Sequence, residues 1–229
     1  MNFLRSLLFY IFFYVGTASF FIIFSPVRFF SFKLVVNLCY FWTTSVIKLS
    51  KAMLNIDYKI IGMKNIPRSG AFIVASNHQS AWETFFFGSL FPGSVFILKN
   101  ELRKIPIFSQ YFKRLGFIFV KREQAFESLK YVLKSVKKLV QQKRNVFVIF
   151  PEGTRLDPGT RVKLNKGVFA IHKFIGLPIL PVKLDSGKFW LNKRFRKESG
   201  TIKIKIFPII KDRMKKEEVI RTLERCYYE

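Results

Sequence analysis

Two side chains five positions apart carry the first chemical signal. His78 and Glu83 lie in the segment Asn77-His78-Gln79-Ser80-Ala81-Trp82-Glu83. An imidazole can take a proton from a hydroxyl near neutral pH, and a carboxylate on its other nitrogen fixes the tautomer and stabilises the cation. The spacing restricts the geometry. On one continuous helix, residues five apart are rotated by about 140° and do not face each other. His78 is therefore expected in a loop ahead of a helix, leaning back onto Glu83. Ser80-x-x-Glu83 also fits a helix capping box, with Ser80 as N-cap and Glu83 at N3. The two roles are compatible.

A second segment reads Phe150-Pro151-Glu152-Gly153-Thr154-Arg155. Gly153 permits close backbone approach, and Arg155 can grip a phosphate through two parallel hydrogen bonds. The plainer reading is a strand-ending turn with a surface arginine. A third segment has Lys99-x-Glu101-Leu102, then Ile105-Pro106, then Gly116-Phe117-Ile118-Phe119 ahead of Lys121-Arg122. Cations at both ends of this passage can line a phosphate site or simply be solvated. The other histidine, His172, stands next to Lys173 with no carboxylate nearby in sequence and reads as structural. Cys39 and Cys226 are far apart, so neither a disulfide framework nor a zinc cluster is indicated.

These segments need a scaffold. Apolar runs predict strands at Tyr58–Ile61, Phe72–Ser76, Val95–Leu98, Phe117–Val120, Val146–Phe150, Ile179–Leu184 and Ile202–Phe207. Phe72–Ala75 and Val146–Phe150 are continuously apolar, as in strands covered on both faces. Between the first two strands, Pro67-Arg68-Ser69-Gly70 signals a turn. The clearest helix is Ala125–Gln142, where Phe126, Leu129, Val132, Val136 and Leu139 recur at helical spacing among lysines. Further helices are expected at Trp82–Leu90, Ile107–Arg114, Asn165–Phe174 and Lys215–Tyr227. The alternation implies an α/β fold with a mixed, mostly parallel sheet flanked by helices. Each chemical segment follows or adjoins a strand, where sites in open α/β sheets gather.

The front of the chain differs. No charge occurs between Arg5 and Arg28, and Leu7–Phe24 is nearly all apolar, which meets the requirement of ~20 residues for a bilayer-spanning helix. A second uncharged stretch, Leu34–Ile47, is shorter and holds Tyr40, Phe41 and Trp42, residues that favour the membrane interface. It reads as an interfacial or re-entrant helix. Residues 1–52 are thus expected to form a membrane anchor, as one span or a monotopic hairpin. Residues 53–229 form the following domain. Arg28, Lys33, Lys48 and Lys51 follow the first segment and place that domain in the cytoplasm. Gly16-Thr17-Ala18-Ser19 offers small residues for signal cleavage, but apolar residues resume at once and leave no clear end to such a signal.

Overall composition agrees with an anchor. The 229 residues hold 40 Lys+Arg against 14 Asp+Glu, a formal charge of +26, yet half are hydrophobic and 29 are Phe. A nucleic-acid binder of this size is seldom so apolar. Basic and greasy together suit an anionic phospholipid surface, where each nearby cation adds up to ~1 kcal/mol. Genomic drift toward Lys, Phe and Ile explains part of the composition but not the clustering of apolar residues at the front.

Together the segments resemble the glycerolipid acyltransferase family, most closely its bacterial 1-acylglycerol-3-phosphate acyltransferases. That family's His-x4-Asp motif corresponds to His78–Glu83, with Glu for Asp. Its Lys-x-Glu-Leu to Gly-x-Ile-Phe-x-x-Arg passage corresponds to Lys99–Arg122, and Phe-Pro-Glu-Gly-Thr-Arg is complete at Phe150–Arg155. A Pro-containing strand corresponds to Leu177-Pro178-Ile179-Leu180-Pro181-Val182, preceded by Lys166-Gly167. The match runs from about residue 60 to 185. It implies that His78, braced by Glu83, is the general base for acylating the 2-hydroxyl of a lysophosphatidate from acyl-CoA or acyl carrier protein. It further implies that Lys99, Arg155 and Arg122 hold the acceptor phosphate, that Glu152, Gly153 and Thr154 shape the acceptor pocket, and that no metal or organic cofactor takes part. The resemblance to bacterial members, with the orientation given by the flanking cations, leads to the expectation of a bacterial inner membrane with the catalytic domain facing the cytoplasm. Other readings are an acyltransferase for glycerol 3-phosphate, a lysophospholipid or a lipid A precursor, and a basic membrane-surface protein without turnover.

Overall fold

A single seven-stranded sheet organises the chain. The computed structural model describes residues 2–104, 108–121, 125–211 and 214–229. The strands are β1 (Ile56–Ile61), β2 (Phe72–Ser76), β3 (Val95–Lys99), β4 (Ile118–Val120), β5 (Val146–Ile149), β6 (Ile179–Leu184) and β7 (Gly200–Ile206). Their order is β1-β7-β6-β2-β5-β3-β4. Every neighbouring pair is parallel except β6 with β7. All five residues of β2 are buried, the result of helices on both faces. In β7 the exposed residues Thr201, Lys203 and Lys205 alternate with buried Ile202, Ile204 and Ile206, because one of its faces meets water.

Two apolar layers sandwich the sheet. On one side lie helices α1 (Asn2–Ile23), α2 (Phe32–Leu54) and α3 (Trp82–Leu90), with Phe9, Val46, Ile47, Trp82, Phe86 and Phe87 packed on Val74, Val148 and Leu180. On the other lie α5 (Ala125–Gln141), α6 (Gly167–Ile175) and α7 (Lys216–Tyr228), whose Val136, Ile171 and Leu223 cover Ile73, Phe147 and Ile179. A short helix, α4 (Phe108–Leu115), closes a third cluster with Phe21 and Val35. The helix expected from Ile107 starts within described residues at Phe108; Ile105, Pro106 and Ile107 lie outside them.

The front segment departs from expectation in its second half. α2 has 23 residues rather than an interfacial 14. It runs through Lys48 and Lys51, which stay exposed, because Val46, Ile47, Ser50 and Leu54 keep the helical period and pack inward. Asn55 ends it in the left-handed region at φ 54°. Trp42 packs inward, while Tyr40 and Phe41 stay exposed. Its Nε1 donates to Thr17 Oγ1 at 3.2 Å, and its ring lies against Phe21, Phe85 and Phe108. α2 and α3 cross closely at Gly88, where a Cβ would stand 2.9 Å from Thr43 Cγ2.

α1 is long and apolar enough to cross a membrane by length and composition. It nevertheless lies along the rest of the protein. Phe9 meets Trp190 at 5.2 Å, Phe13 meets Phe85 at 5.7 Å, and Phe21 meets Tyr111 at 4.9 Å. Near its start, the Lys197 backbone N–H donates to Ser6 Oγ at 2.9 Å. Just beyond its end, Tyr111 Oη donates to the Phe24 carbonyl at 2.7 Å. Lys197 itself is buried, gives its ammonium to the Leu191 and Arg194 carbonyls, and is pushed down to about 8 by that burial. The outward side of α1 leaves Phe3, Leu4, Phe12, Val15, Ile22 and Ile23 exposed.

Candidate active site

Parallel strands bring their carboxyl ends to one edge of the sheet, and three neighbouring strands β2, β5 and β3 deliver the sequence motifs there. Ser76 ends β2, and the chain turns through Asn77 before entering α3. Asn77 is locked by reciprocal bonds: its Nδ2 donates to the Leu184 carbonyl, and its Oδ1 accepts from the Leu184 N–H, both at 2.8 Å. The loop carrying His78 is thereby pinned to the end of β6.

His78 Nδ1 stands 2.6 Å from Glu83 Oε2. Glu83 occupies the first turn of α3 and is completely buried. The extra methylene relative to Asp is absorbed by this placement, and the carboxylate reaches the ring. Its other contacts are the backbone N–H groups of Gln79 and Ser80, each at 2.9 Å from Oε1, and the Ser186 hydroxyl. Four donors thus fix one carboxylate in the orientation that receives the imidazole. With Nδ1 engaged, Nε2 is the ring nitrogen left for a substrate hydroxyl; among the described residues no hydrogen bond is made to it. Phe150 stacks on the ring at 3.9 Å between centroids and 18° between planes, which sets the tilt of the imidazole.

Half of the expected capping box is present. Glu83 does reach back to the Ser80 N–H, but Ser80 Oγ donates to Ser186 Oγ at 2.9 Å instead of capping the helix. Ala81 takes the N-cap position without a side-chain bond. The serine instead supports Glu83 through Ser186, which lies two residues past the end of β6 and comes within reach only in the folded sheet.

β5 delivers the second motif. Phe150 leaves the strand and Gly153 turns the backbone at φ 75°, its N–H donating to the Phe150 carbonyl at 2.9 Å. Glu152 is buried. Its Oε2 accepts the His78 backbone N–H at 2.6 Å and its Oε1 accepts the Tyr228 hydroxyl at 3.1 Å. Burial pushes Glu152 up to about 7; those two hydrogen bonds oppose the rise and the nearby Glu83 charge adds to it. Past the turn, the Leu156 N–H donates to the His78 carbonyl at 2.8 Å. Both backbone groups of His78 are therefore held by the segment that carries Arg155.

Thr154 and Arg155 are exposed on this loop, and Lys99 is exposed as the last residue of β3. Arg155 and Lys99 thus share the carboxyl edge with His78, on β5 and β3. Arg122 lies outside the described residues. His172 is buried, its Nδ1 2.7 Å from the Leu177 carbonyl, within α6 and away from this edge. Two residues that sequence reading did not single out complete the site. Ser186 lies 103 positions from Glu83, and Tyr228 lies 76 positions from Glu152. No local pattern signals either one.

Comparison with known proteins agrees with this arrangement. Residues 57–185 match the acyltransferase family. A 1-acyl-sn-glycerol-3-phosphate acyltransferase of Pseudomonas aeruginosa is 34% identical, across 90% of this chain and 80% of its own length. The enzyme of that name from Saccharomyces cerevisiae is 34% identical, across 58% of this chain and 44% of its own length. The crystal structure of the 1-acyl-sn-glycerophosphate (LPA) acyltransferase from Thermotoga maritima matches with a TM-score of 0.77 at 25% identity, covering 98% of this chain and 97% of the other.

Proposed function

Because the chain belongs to the acyltransferase family, we propose that it moves a fatty acyl group from a thioester to the 2-hydroxyl of 1-acyl-sn-glycerol 3-phosphate, giving phosphatidic acid. The observation that carries this reading is the His78–Glu83 pair at 2.6 Å, facing the edge where Lys99 and Arg155 emerge. Nε2 of His78 takes the hydroxyl proton, while Glu83 holds Nδ1–H and stabilises the imidazolium. The acceptor oxygen attacks the thioester carbonyl, a tetrahedral oxyanion forms, and the thiolate leaves with the proton returned from His78. One ester bond forms and one thioester bond breaks, without an acyl-enzyme. Arg155, Lys99 and Arg122 bind the acceptor phosphate. Glu152, Gly153 and Thr154 shape the acceptor pocket, Glu152 by fixing the His78 backbone.

The amino-terminal hairpin supplies access to lipid. Exposed apolar side chains run the length of α1 on its outer side, while its inner side is packed on the domain. This supports an anchor that lies in one leaflet of a bacterial inner membrane, domain toward the cytoplasm, where acceptor and product reside. Purified protein assayed with lysophosphatidate, glycerol 3-phosphate, a lysophospholipid and a lipid A precursor tests the acceptor. Transfer confined to an acceptor other than lysophosphatidate overturns the reading.

A further inference from the structure

Two kinds of donor hold the Glu83 carboxylate. The His78 ring and the backbone N–H groups of Gln79 and Ser80 belong to the same short segment as Glu83. The Ser186 hydroxyl does not. It donates to Glu83 Oε1 from the turn after β6, 103 positions along the chain. Among the described residues it is the one donor to this carboxylate from outside residues 78–83. It therefore ties the carboxylate to the sheet rather than to its own loop.

The direction of this bond is fixed. Ser80 Oγ donates to Ser186 Oγ at 2.9 Å, which leaves the single Ser186 proton for Glu83. Ser80, Ser186 and Glu83 are all fully buried. In such surroundings a hydrogen bond to an ionised group is strong, and the two hydroxyls in series polarise toward the carboxylate.

Ser186 is itself seated firmly. Its carbonyl accepts the N–H groups of Phe189 at 3.1 Å and Trp190 at 2.8 Å. Gly187 beside it lies so close to Gln79 that a Cβ would stand 2.9 Å from Gln79 Cβ, and its N–H donates to Gln79 Oε1 at 3.1 Å. The hydroxyl thus meets Glu83 at a set depth. Aspartate at this position would withdraw the carboxylate by one C–C bond, about 1.5 Å. The local donors can follow a withdrawn head. Ser186, fixed on the sheet, cannot, and such a step exceeds the range of a hydrogen bond.

We propose that Ser186 is a positioning residue that matches this site to glutamate. It holds the longer side chain at the depth where its carboxylate braces His78, and a shorter side chain falls short of it. The inference rests on the acyl-transfer reading above, in which His78 is the base, and adds the residue that fixes its brace.

The full-length parent protein, S186A, E83D and S186A/E83D, assayed in detergent micelles with lysophosphatidate and acyl thioester, test it. S186A is expected to lower kcat by about tenfold or more, the effect of losing a hydrogen bond to a charged group. Both KM values should stay near those of the parent, because Ser186 is buried and acts through Glu83. E83D should lose at least as much. In the E83D background, where the contact is already broken, S186A should change kcat by less than about twofold. S186C keeps the size and a weak donor; it should fall between the parent and S186A, and it serves if S186A does not fold. Thermal melts of the same proteins read the contact without turnover: S186A should lower the melting temperature more in the parent than in the E83D background. Parent-like kcat in S186A, a loss carried by KM, or equal S186A losses in both backgrounds overturns the assignment. Melts that follow this pattern in a protein that acylates no acceptor would instead refute the acyl-transfer reading and leave Ser186 assigned to Glu83.

Discussion

The hydroxyl of Tyr228, the penultimate residue, donates to Glu152 Oε1 at 3.1 Å, while Oε2 of the same carboxylate receives the backbone N–H of His78 at 2.6 Å. The carboxyl-terminal helix thus reaches His78 through one intermediary. Tyr228 is itself seated by Val162, whose N–H contacts its hydroxyl oxygen at 3.4 Å, and by Arg161 over its ring. Tyr228 is a positioning residue on this geometry, since it acts through Glu152.

Replacing Tyr228 with Phe removes one of the two hydrogen bonds that hold Glu152 down against burial and against Glu83. The Glu152 carboxyl should then ionise at a pH above its present value of about 7. The acid limb of the kcat/KM profile is expected to move to higher pH, with several-fold less activity at neutrality. Pairing the change with Glu152→Gln checks the route, because that background has no carboxyl to titrate and should show no further shift.

Stability carries the same signature with a definite sign. Glu152 has a folded-state pKa raised from 4.5 to about 7. Between those values the folded protein keeps a proton that the unfolded chain has released, so stability falls as pH rises through the window. Glu152→Gln removes this contribution. Its melting temperature should decline less between pH 5 and pH 8 than that of the parent protein, measured by calorimetry in one detergent.

His78 and Glu83 should separate chemistry from folding. His78→Ala is expected to cut acyl transfer by about 10²–10⁴-fold and to lower the melting temperature less than loss of Glu83 does, since it removes one of the four donors on that carboxylate. Glu83→Ala should lose transfer and stability together. It strands the buried Ser186 hydroxyl and the Gln79 and Ser80 N–H groups, at a cost of about 3 kcal/mol or more. Thiol release from acyl-CoA and thermal melts of both variants give the comparison.

Arg155→Ala addresses the acceptor alone. Loss of a charge-assisted phosphate contact should raise the acceptor KM by about 10- to 100-fold and leave the donor KM near its starting value. An unchanged acceptor response would remove Arg155 from the phosphate site.

Much of this architecture can be read from residue order. β2, β6 and α3 have the boundaries that apolar runs and turn residues indicate, because each is a mostly buried element whose ends are marked by turn-forming residues. The apposition of His78 and Glu83 is legible too, because five-residue spacing rules out one continuous helix and puts His78 in the loop ahead of α3. β5 ends one residue early, since Phe150 is drawn out to stack on His78. The length of α2 was concealed by Lys48 and Lys51, which end the uncharged window without ending the helix. Ser186 and Tyr228 enter the site through contacts across 103 and 76 positions. Such contacts belong to the three-dimensional path of the sheet and leave no periodic trace along the chain.

The clasp between Ser6 and Lys197, matched by that between Phe24 and Tyr111, has a mechanical consequence. A rod pinned near both tips cannot swivel like a tethered buoy. The height of the His78 edge relative to α1 is consequently set by the fold itself, and helix and domain can only tilt together.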